Sequence, residues 1–322
     1  MLDTTWQLWR SNRLVTVFLV GTWALLQMFT LLAATNLTGN LDACIGLTAG
    51  SCSSGPDSGN LAGDVDAANW LLLGQTVIPV LIGVFWGAPL LAREYESQTY
   101  LFAWTQDVTA TRWIGQRLSI LVFFSVVFAI VSGFTSHSLA ISVHQVTAKS
   151  MFTQTLFEAS VGLQVSYFLL ALLVGFTAGA FVRKVVPALG IALFAFVAIR
   201  AALVIVRLKW FPASTQEAPF TADNGYTKIA LPGENSFQLD VHYTNAAGTP
   251  VPFPSQECRN APTAPEWEQC IRSHGVDKIV TDYQSGSHLV ATQAIEIALC
   301  CAVAVLLTLL AFRHVRRATS TA

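Results

Sequence analysis

Residues 83–106 read Gly83-Val-Phe-Trp-Gly-Ala-Pro-Leu-Leu-Ala-Arg-Glu-Tyr-Glu-Ser-Gln-Thr-Tyr-Leu-Phe-Ala-Trp-Thr-Gln106, and the stretch changes character halfway. Through Ala92 it suits hydrocarbon. Pro79, Gly83, Gly87 and Pro89 loosen or kink a helix there, because proline removes a ladder hydrogen bond and glycine adds no packing side chain. Arg93, Glu94 and Glu96 then mark the exit into an interface. Tyr100, Leu101, Phe102 and Trp104 form an apolar cluster that a free loop has no need of, and Thr109 and Thr111 are candidate N-caps for the next helix. The segment reads as a membrane helix running into a short interfacial helix. Aromatic anchoring at the membrane surface is the alternative, which explains Trp104 and Trp113 but less easily the Glu94 and Glu96 pair.

Composition supports a chain that lives in lipid. Apolar residues make up 53%, charged residues 11%, and mean hydropathy is +0.53, far from a soluble domain. A net charge of -1 excludes a generally basic nucleic-acid binder. Six apolar runs approach or exceed the ~20 residues that a helix needs to cross a ~30 Å hydrocarbon core. They are Leu14 to Ala34, Trp70 to Ala92, Leu118 to Thr135, Phe157 to Phe181, Val186 to Val206 and Leu289 to Phe312. No strand-like alternation is sustained in them, so helices rather than a barrel satisfy the backbone.

Short cationic loops set the orientation. Arg10 and Arg13 precede the first span; Arg93, Arg112 and Arg117 lie between the second and third; Arg183 and Lys184 between the fourth and fifth; Arg313, Arg316 and Arg317 follow the last. All fall on one side, taken as cytoplasmic, so both termini are inside. Opposite them, Thr35 to Asn69 carries Asp42, Asp57, Asp64 and Asp66 but no Lys or Arg, and Ser136 to Leu156 has only Lys149. The first run is too long for the ~7–15 apolar residues of a cleaved signal peptide and is read as a retained span. Residues 1–13, with Trp6 and Trp9 beside Arg10 and Arg13, suit an amphipathic helix in the headgroup layer.

The expected fold is an all-α polytopic membrane protein with six transmembrane helices, both termini cytoplasmic, and a small α+β extracellular domain between helices 5 and 6. Its parts are the interfacial helix 1–13, helices 1 to 5 in 14–206 with a cytoplasmic segment at 93–117, the outer domain 207–288, helix 6 at 289–312 and the tail 313–322. In the outer domain Phe237, Leu239, Val241 and Tyr243 alternate with polar residues as in a half-buried strand, with Tyr226 to Leu231 as a partner across Pro232-Gly233. Thr263-Ala-Pro-Glu266 has the form of a capping box, and Gly275 stops the helix it opens. This domain is either a cap over the outer mouth or a passive cover. Two local disulfides are expected in this oxidising setting, Cys44 with Cys52 and Cys258 with Cys270, while Cys300 and Cys301 lie within the sixth span. No metal site is expected, and none of the histidines is assigned chemistry.

Charged groups inside the spans are expensive and seek partners. Arg200 in the fifth run and Glu296 in the sixth stand at similar depth, with Glu158 near the end of the fourth. They either line a pathway or form a structural ion pair that locks the last two helices. Gly175-Phe-Thr-Ala-Gly179 is a GxxxG element for close helix packing.

These residues resemble the actinobacterial type-2 ABC transporter permeases, the membrane subunits of ATP-driven exporters. The resemblance rests on Gly83-Val-Phe-Trp-Gly-Ala-Pro-Leu90, Ala92-Arg93-Glu94 with Thr99, Trp104-Thr105-Gln106 and Arg112-Trp113. Weaker support comes from Phe181 to Pro187 and from Asp282-Tyr-Gln284 leading to Gln293 and Glu296. The chain has Gln98 where such permeases usually have Gly in the Glu-x-x-Gly-Thr pattern. The resemblance implies a coupling helix within Arg93 to Arg117 that docks on an ABC ATP-binding subunit. Arg93, Glu94, Glu96, Thr99, Trp104 and Gln106 would serve that coupling, with Glu94 and Glu96 facing the partner. ATP and Mg would sit on the partner, since this chain has no GxxxxGK[ST] loop and carries no cofactor of its own. A second permease copy, membrane lipid and the bacterial plasma membrane complete the implied setting, with a hydrophobic or amphipathic cargo such as a drug, antibiotic, lipid or peptide. A membrane-embedded enzyme lacks an acid-base or metal constellation here. An ATP-independent anchoring or sensing subunit that binds a ligand or protein through the outer domain is the alternative.

Overall fold

The computed structural model describes residues 2–45, 58–97, 110–221, 231–259, 261 and 263–320. It divides into a helical unit, Met1–Lys149 with Gln154–Ile205 and Gln293–Ala322, and a strand-containing unit, Ser150–Thr153 with Val206–Thr292. Among the described residues six helices are long and apolar enough to cross a membrane: Thr16–Gly39, Leu61–Glu96, Thr111–Thr147, Val161–Val182, Val185–Arg207 and Gly286–Arg317.

Several helices outrun their apolar cores. Helix α1 covers Leu2–Ile45, about 66 Å of helix at ~1.5 Å per residue. Residues 2–13 are therefore continuous with the first crossing rather than a separate helix; no glycine or proline interrupts the chain before Gly21. Helix α2, Ser58–Ile82, starts a dozen positions before the apolar run at Trp70. It passes through a π turn, Gly83–Gly87, into α3, Pro89–Glu96. Helix α4, Ala110–Thr147, extends well beyond Thr135, where the hydropathy pattern ends the third span. Its later hydroxyls do not break it because they bond back to the preceding turn, Ser136 to Ser132 O at 2.6 Å and Ser138 to Phe134 O at 3.0 Å.

The fourth crossing starts later than Phe157. That residue ends a short helix α5, Gln154–Phe157, and the crossing is α6, Val161–Val182. Ser160 has extended backbone and its hydroxyl caps the Leu163 N–H at 3.4 Å, which fixes the start. Helix α7, Val185–Arg207, follows at once, with Arg183 in the left-handed region at φ 58° closing α6.

Among the described residues of the helical unit, the closest glycine contacts join the second crossing to α6. Ala88 N–H bonds to Gly83 O at 3.0 Å, the i to i+5 pattern of a π turn. A Cβ on Gly83 would meet Ala171 O at 2.5 Å, and one on Gly175 would meet Gly83 O at 2.0 Å. The GxxxG element thus lets α6 touch the backbone of the π turn within one chain. Around it Leu19, Ile78, Ile82, Trp86, Ala129, Phe168 and Leu172 form a core, with Trp23 stacked on Phe128 at 4.4 Å.

A second, polar seam joins α1, α2 and α4. Gln27 and Gln75 exchange amide hydrogen bonds at 3.1 Å; Gln75 also donates to Thr30 at 3.0 Å, and Gln27 to Ser132 at 3.2 Å. Thr135 donates to Gln27 at 2.5 Å and Trp23 to Ser132 at 2.8 Å. Each buried amide is met by another polar group, as an apolar surrounding demands.

The strand-containing unit is a four-stranded antiparallel sheet in the order β1 (Ser214–Pro219), β4 (Lys278–Gln284), β2 (Phe237–Thr244), β3 (Pro250–Val251). β2 matches the alternating run, but its main partner is β4, with Tyr243 opposite Ile279; the proposed partner 226–230 lies outside the described residues. Asp282-Tyr-Gln284 ends β4, and a short turn, Gly286–His288, carries the chain from it into the last helix at Leu289. Helix α8, Ala264–Ser273, is capped by Thr263, whose hydroxyl accepts from the Glu266 N–H, and Gly275 turns the chain at φ 87°. Phe220, Cys258, Trp267, Ile271 and Val276 form this unit's core, and burial pushes the Tyr243 phenol above its usual pKa.

Cys258 and Cys270 are bonded, with Cα atoms 5.7 Å apart. The Cys44 side chain and Cys52 lie outside the described residues. Among the described residues one His, Cys, Asp or Glu group is compact enough for a metal, Cys258, Cys270 and His274, and its two sulfurs are committed to each other. Removing the bond with Cys258→Ser and Cys270→Ser frees a short loop of the unfolded chain. We expect a loss of roughly 3 kcal/mol in the stability of this unit, measured as a lower urea midpoint for Trp267 fluorescence.

Candidate functional site

Helix α3 is the exit of the second crossing, and its residues sort by face. Pro89 fits the first helical position, where its missing N–H is no loss. Leu90, Leu91 and Ala92 are buried, while Arg93 and Glu96 are exposed. Ser97 ends the helix, donating from both its amide at 3.0 Å and its hydroxyl at 2.8 Å to Arg93 O.

The two glutamates engage this chain's own helices. Glu94 accepts from Arg117 of α4 at 2.5 Å, and the Arg117 guanidinium lies 3.9 Å over the Trp113 ring. Glu96 accepts the Val185 N–H at 2.9 Å, a carboxylate on the first turn of α7, where unpaired N–H groups and the helix dipole favour it. Arg183 lies 5.3 Å over the Tyr95 ring and contacts the His314 ring nitrogen at 3.4 Å. His314 belongs to the last helix, α9 (Leu289–Ser320), and stacks on Phe181 at 4.4 Å. The cationic segments of α3, α4, the α6–α7 turn and α9 thus gather at one end of the helical unit. Of the six coupling residues read from the sequence, Arg93, Glu94 and Glu96 are at this base; Thr99, Trp104 and Gln106 lie outside the described residues.

Residues 14–207 match the family described as ABC-2 membrane transporter related. The chain belongs to this family. No curated protein and no solved structure matches it. ABC-2 permeases are multi-pass membrane subunits of transporters, and they work with a separate ATP-binding subunit. The match runs from the start of the first crossing to the end of α7, so the permease base just described lies within it except for His314.

The permease holds a second polar site between α6, α7 and α9. The Arg200 guanidinium makes its close ion pair with Glu158 in the turn before α6, and its other nitrogen is 3.8 Å from Glu296 of α9. The Tyr167 hydroxyl donates to the same Glu296 oxygen, and the Tyr167 ring lies 3.6 Å beneath the Arg200 carbon. Gln164 donates to Glu158 O at 3.0 Å. Glu158 and Glu296 are fully enclosed. The structure therefore brings Arg200, Glu158 and Glu296 together, with Glu158 as the nearer partner. Sequence reasoning missed Tyr167, whose only signal is a phenol within an apolar run, and the Gln27 and Gln75 pair, whose signal is an amide in each of two successive runs.

Proposed function

We propose that this permease is the membrane half of an ATP-driven exporter that moves a hydrophobic or amphipathic compound out across the bacterial plasma membrane. The family match over residues 14–207 carries the reading. The cationic base faces the cytoplasm, where short Lys- and Arg-rich loops are retained, and both termini lie there. Residues 207–288 form the outer domain. Two copies of the chain join two ATP-binding subunits, which hold the ATP and Mg. Coupling runs through residues 93–117, with Arg93, Thr99, Trp104 and Gln106 as the residues that serve it. Nucleotide-driven closure shifts these residues, and the helices they adjoin open a path between the two permeases.

Co-expression with the ATP-binding subunit tests this. A tag on the permease is expected to recover that subunit in equal amount, and the complex in lipid to hydrolyse ATP faster with a transported compound. Trp104→Ala combined with Gln106→Ala is expected to lower recovery at least tenfold. Recovery of the permease alone from every such preparation overturns the reading and favours an ATP-independent subunit.

A further inference from the structure

Helix α7 is held to the rest of the helical unit by few side chains. Most of its residues are exposed, among them Val186, Phe194 and Ile205. Its buried apolar side chains are Ala188, Ala192 and Phe196, and near its start the two alanines pack with Ala88 and Ala92 of the second crossing and Ala178 of α6, with Val185 and Leu189 partly buried beside them. Such a contact is close but shallow, because an alanine methyl interlocks with nothing and resists sliding weakly. Polar attachments add to it. Near its far end Arg200 grips Glu158; at its start Glu96 holds the Val185 N–H at 2.9 Å.

We infer that Glu96 is a positioning residue, a strut that makes α3 and the first turn of α7 move as one body. The inference rests on the reading of residues 93–117 as the coupling segment. A push on that segment reaches α3 first, since α3 ends at Glu96 and the segment continues from it. Over the first two turns of α7 the fully buried contacts are alanine methyls, with Val185 and Leu189 only partly buried, so packing resists sliding weakly there. The carboxylate removes that freedom, because leaving the Val185 N–H to move away gives up a charge-assisted hydrogen bond at a helix N-terminus. Arg183, one residue before Lys184 in the same turn, adds a second hold on Tyr95 and carries it to His314, so the end of α9 follows. The residue therefore acts through α7 and not by contact with the ATP-binding subunit.

Two variants test this. In Glu96→Ala the strut is gone; in Glu96→Gln the amide oxygen still accepts. Hydrogen exchange of the Arg183–Leu189 segment, measured on the chain alone, reads the contact itself. The first turn of α7 is expected to exchange at least tenfold faster in Glu96→Ala and close to the native rate in Glu96→Gln. In the complex, Glu96→Ala is expected to recover the ATP-binding subunit in native amount yet lose compound-stimulated hydrolysis at least tenfold, with Glu96→Gln restoring most of it. Unchanged exchange in Glu96→Ala overturns the strut. Loss of the ATP-binding subunit in Glu96→Ala also overturns it, because Glu96 is then a partner contact, and native stimulation in Glu96→Ala overturns it as well. Failure of the native chain to recover that subunit overturns the coupling role together with the functional reading, while exchange still decides whether the contact exists.

Discussion

Gly175→Ala is expected to leave almost no folded permease, although it adds a single methyl group. The new Cβ would lie 2.0 Å from Gly83 O and 2.9 Å from Ala88 N, both backbone atoms of the second crossing. A flexible side chain could swing aside; a helix backbone cannot do so without parting α6 from the π turn. Overpacking a tight core costs about 1–3 kcal/mol where side chains can adjust, and here the adjustment must come from two helices at once. Gly179→Ala, with its Cβ 2.3 Å from Ala88 O, is expected to behave the same way. Gly21→Ala and Gly190→Ala are the controls, since a Cβ at either position meets nothing within 4 Å. Thermal aggregation followed by size-exclusion chromatography in detergent checks the set. A Gly175→Ala protein as stable as Gly190→Ala would show that the seam is looser than described.

Arg200→Met is expected to cost more than any other single change among the intramembrane charges. It keeps the length and apolar stem of the side chain and removes the cation that pairs with Glu158 and lies 3.8 Å from Glu296. Two enclosed carboxylates would then lose that guanidinium, and breaking a buried pair by removing one member costs roughly 3–5 kcal/mol. Replacing the whole set, Arg200→Met with Glu158→Gln and Glu296→Gln, removes the mismatch. The triple variant is therefore expected to regain most of the stability that Arg200→Met loses. Stability with transport lost in the triple variant assigns the cluster to the pathway; stability with transport kept assigns it to locking the helices. A triple variant no more stable than Arg200→Met would show that the charges are not what holds this corner.

The crossings were legible because burial in hydrocarbon leaves a signal ~20 residues long, whereas their true ends were not. The hydroxyls of Ser136 and Ser138 make a run look polar, yet each returns its hydrogen bond to the preceding turn and the helix continues. Strand β1, Ser-Thr-Gln-Glu-Ala-Pro, carries almost no strand composition; it exists through its ladder with β4, more than sixty positions on. The similar depth of Arg200 and Glu296 followed from counting residues along two apolar runs. Glu158 as the nearer partner did not, because the extended backbone at Ser160 decides where the turn before α6 sits. Glu96 was legible as an exit charge, but its partner is a backbone N–H 89 positions away, and no side-chain pattern advertises a backbone donor.

The π turn at Gly83–Gly87 holds one residue more than an α turn would, and so sets the phase of everything after it. Were the turn to tighten to α geometry without losing a residue, α3 would rotate by about 100° and shift by ~1.5 Å along its axis. Glu94 would leave Arg117, and Glu96 would leave Val185, in a single step. The angular setting of the exit helix is thus counted in whole residues, and the seam against Gly175 is the detent that keeps the count.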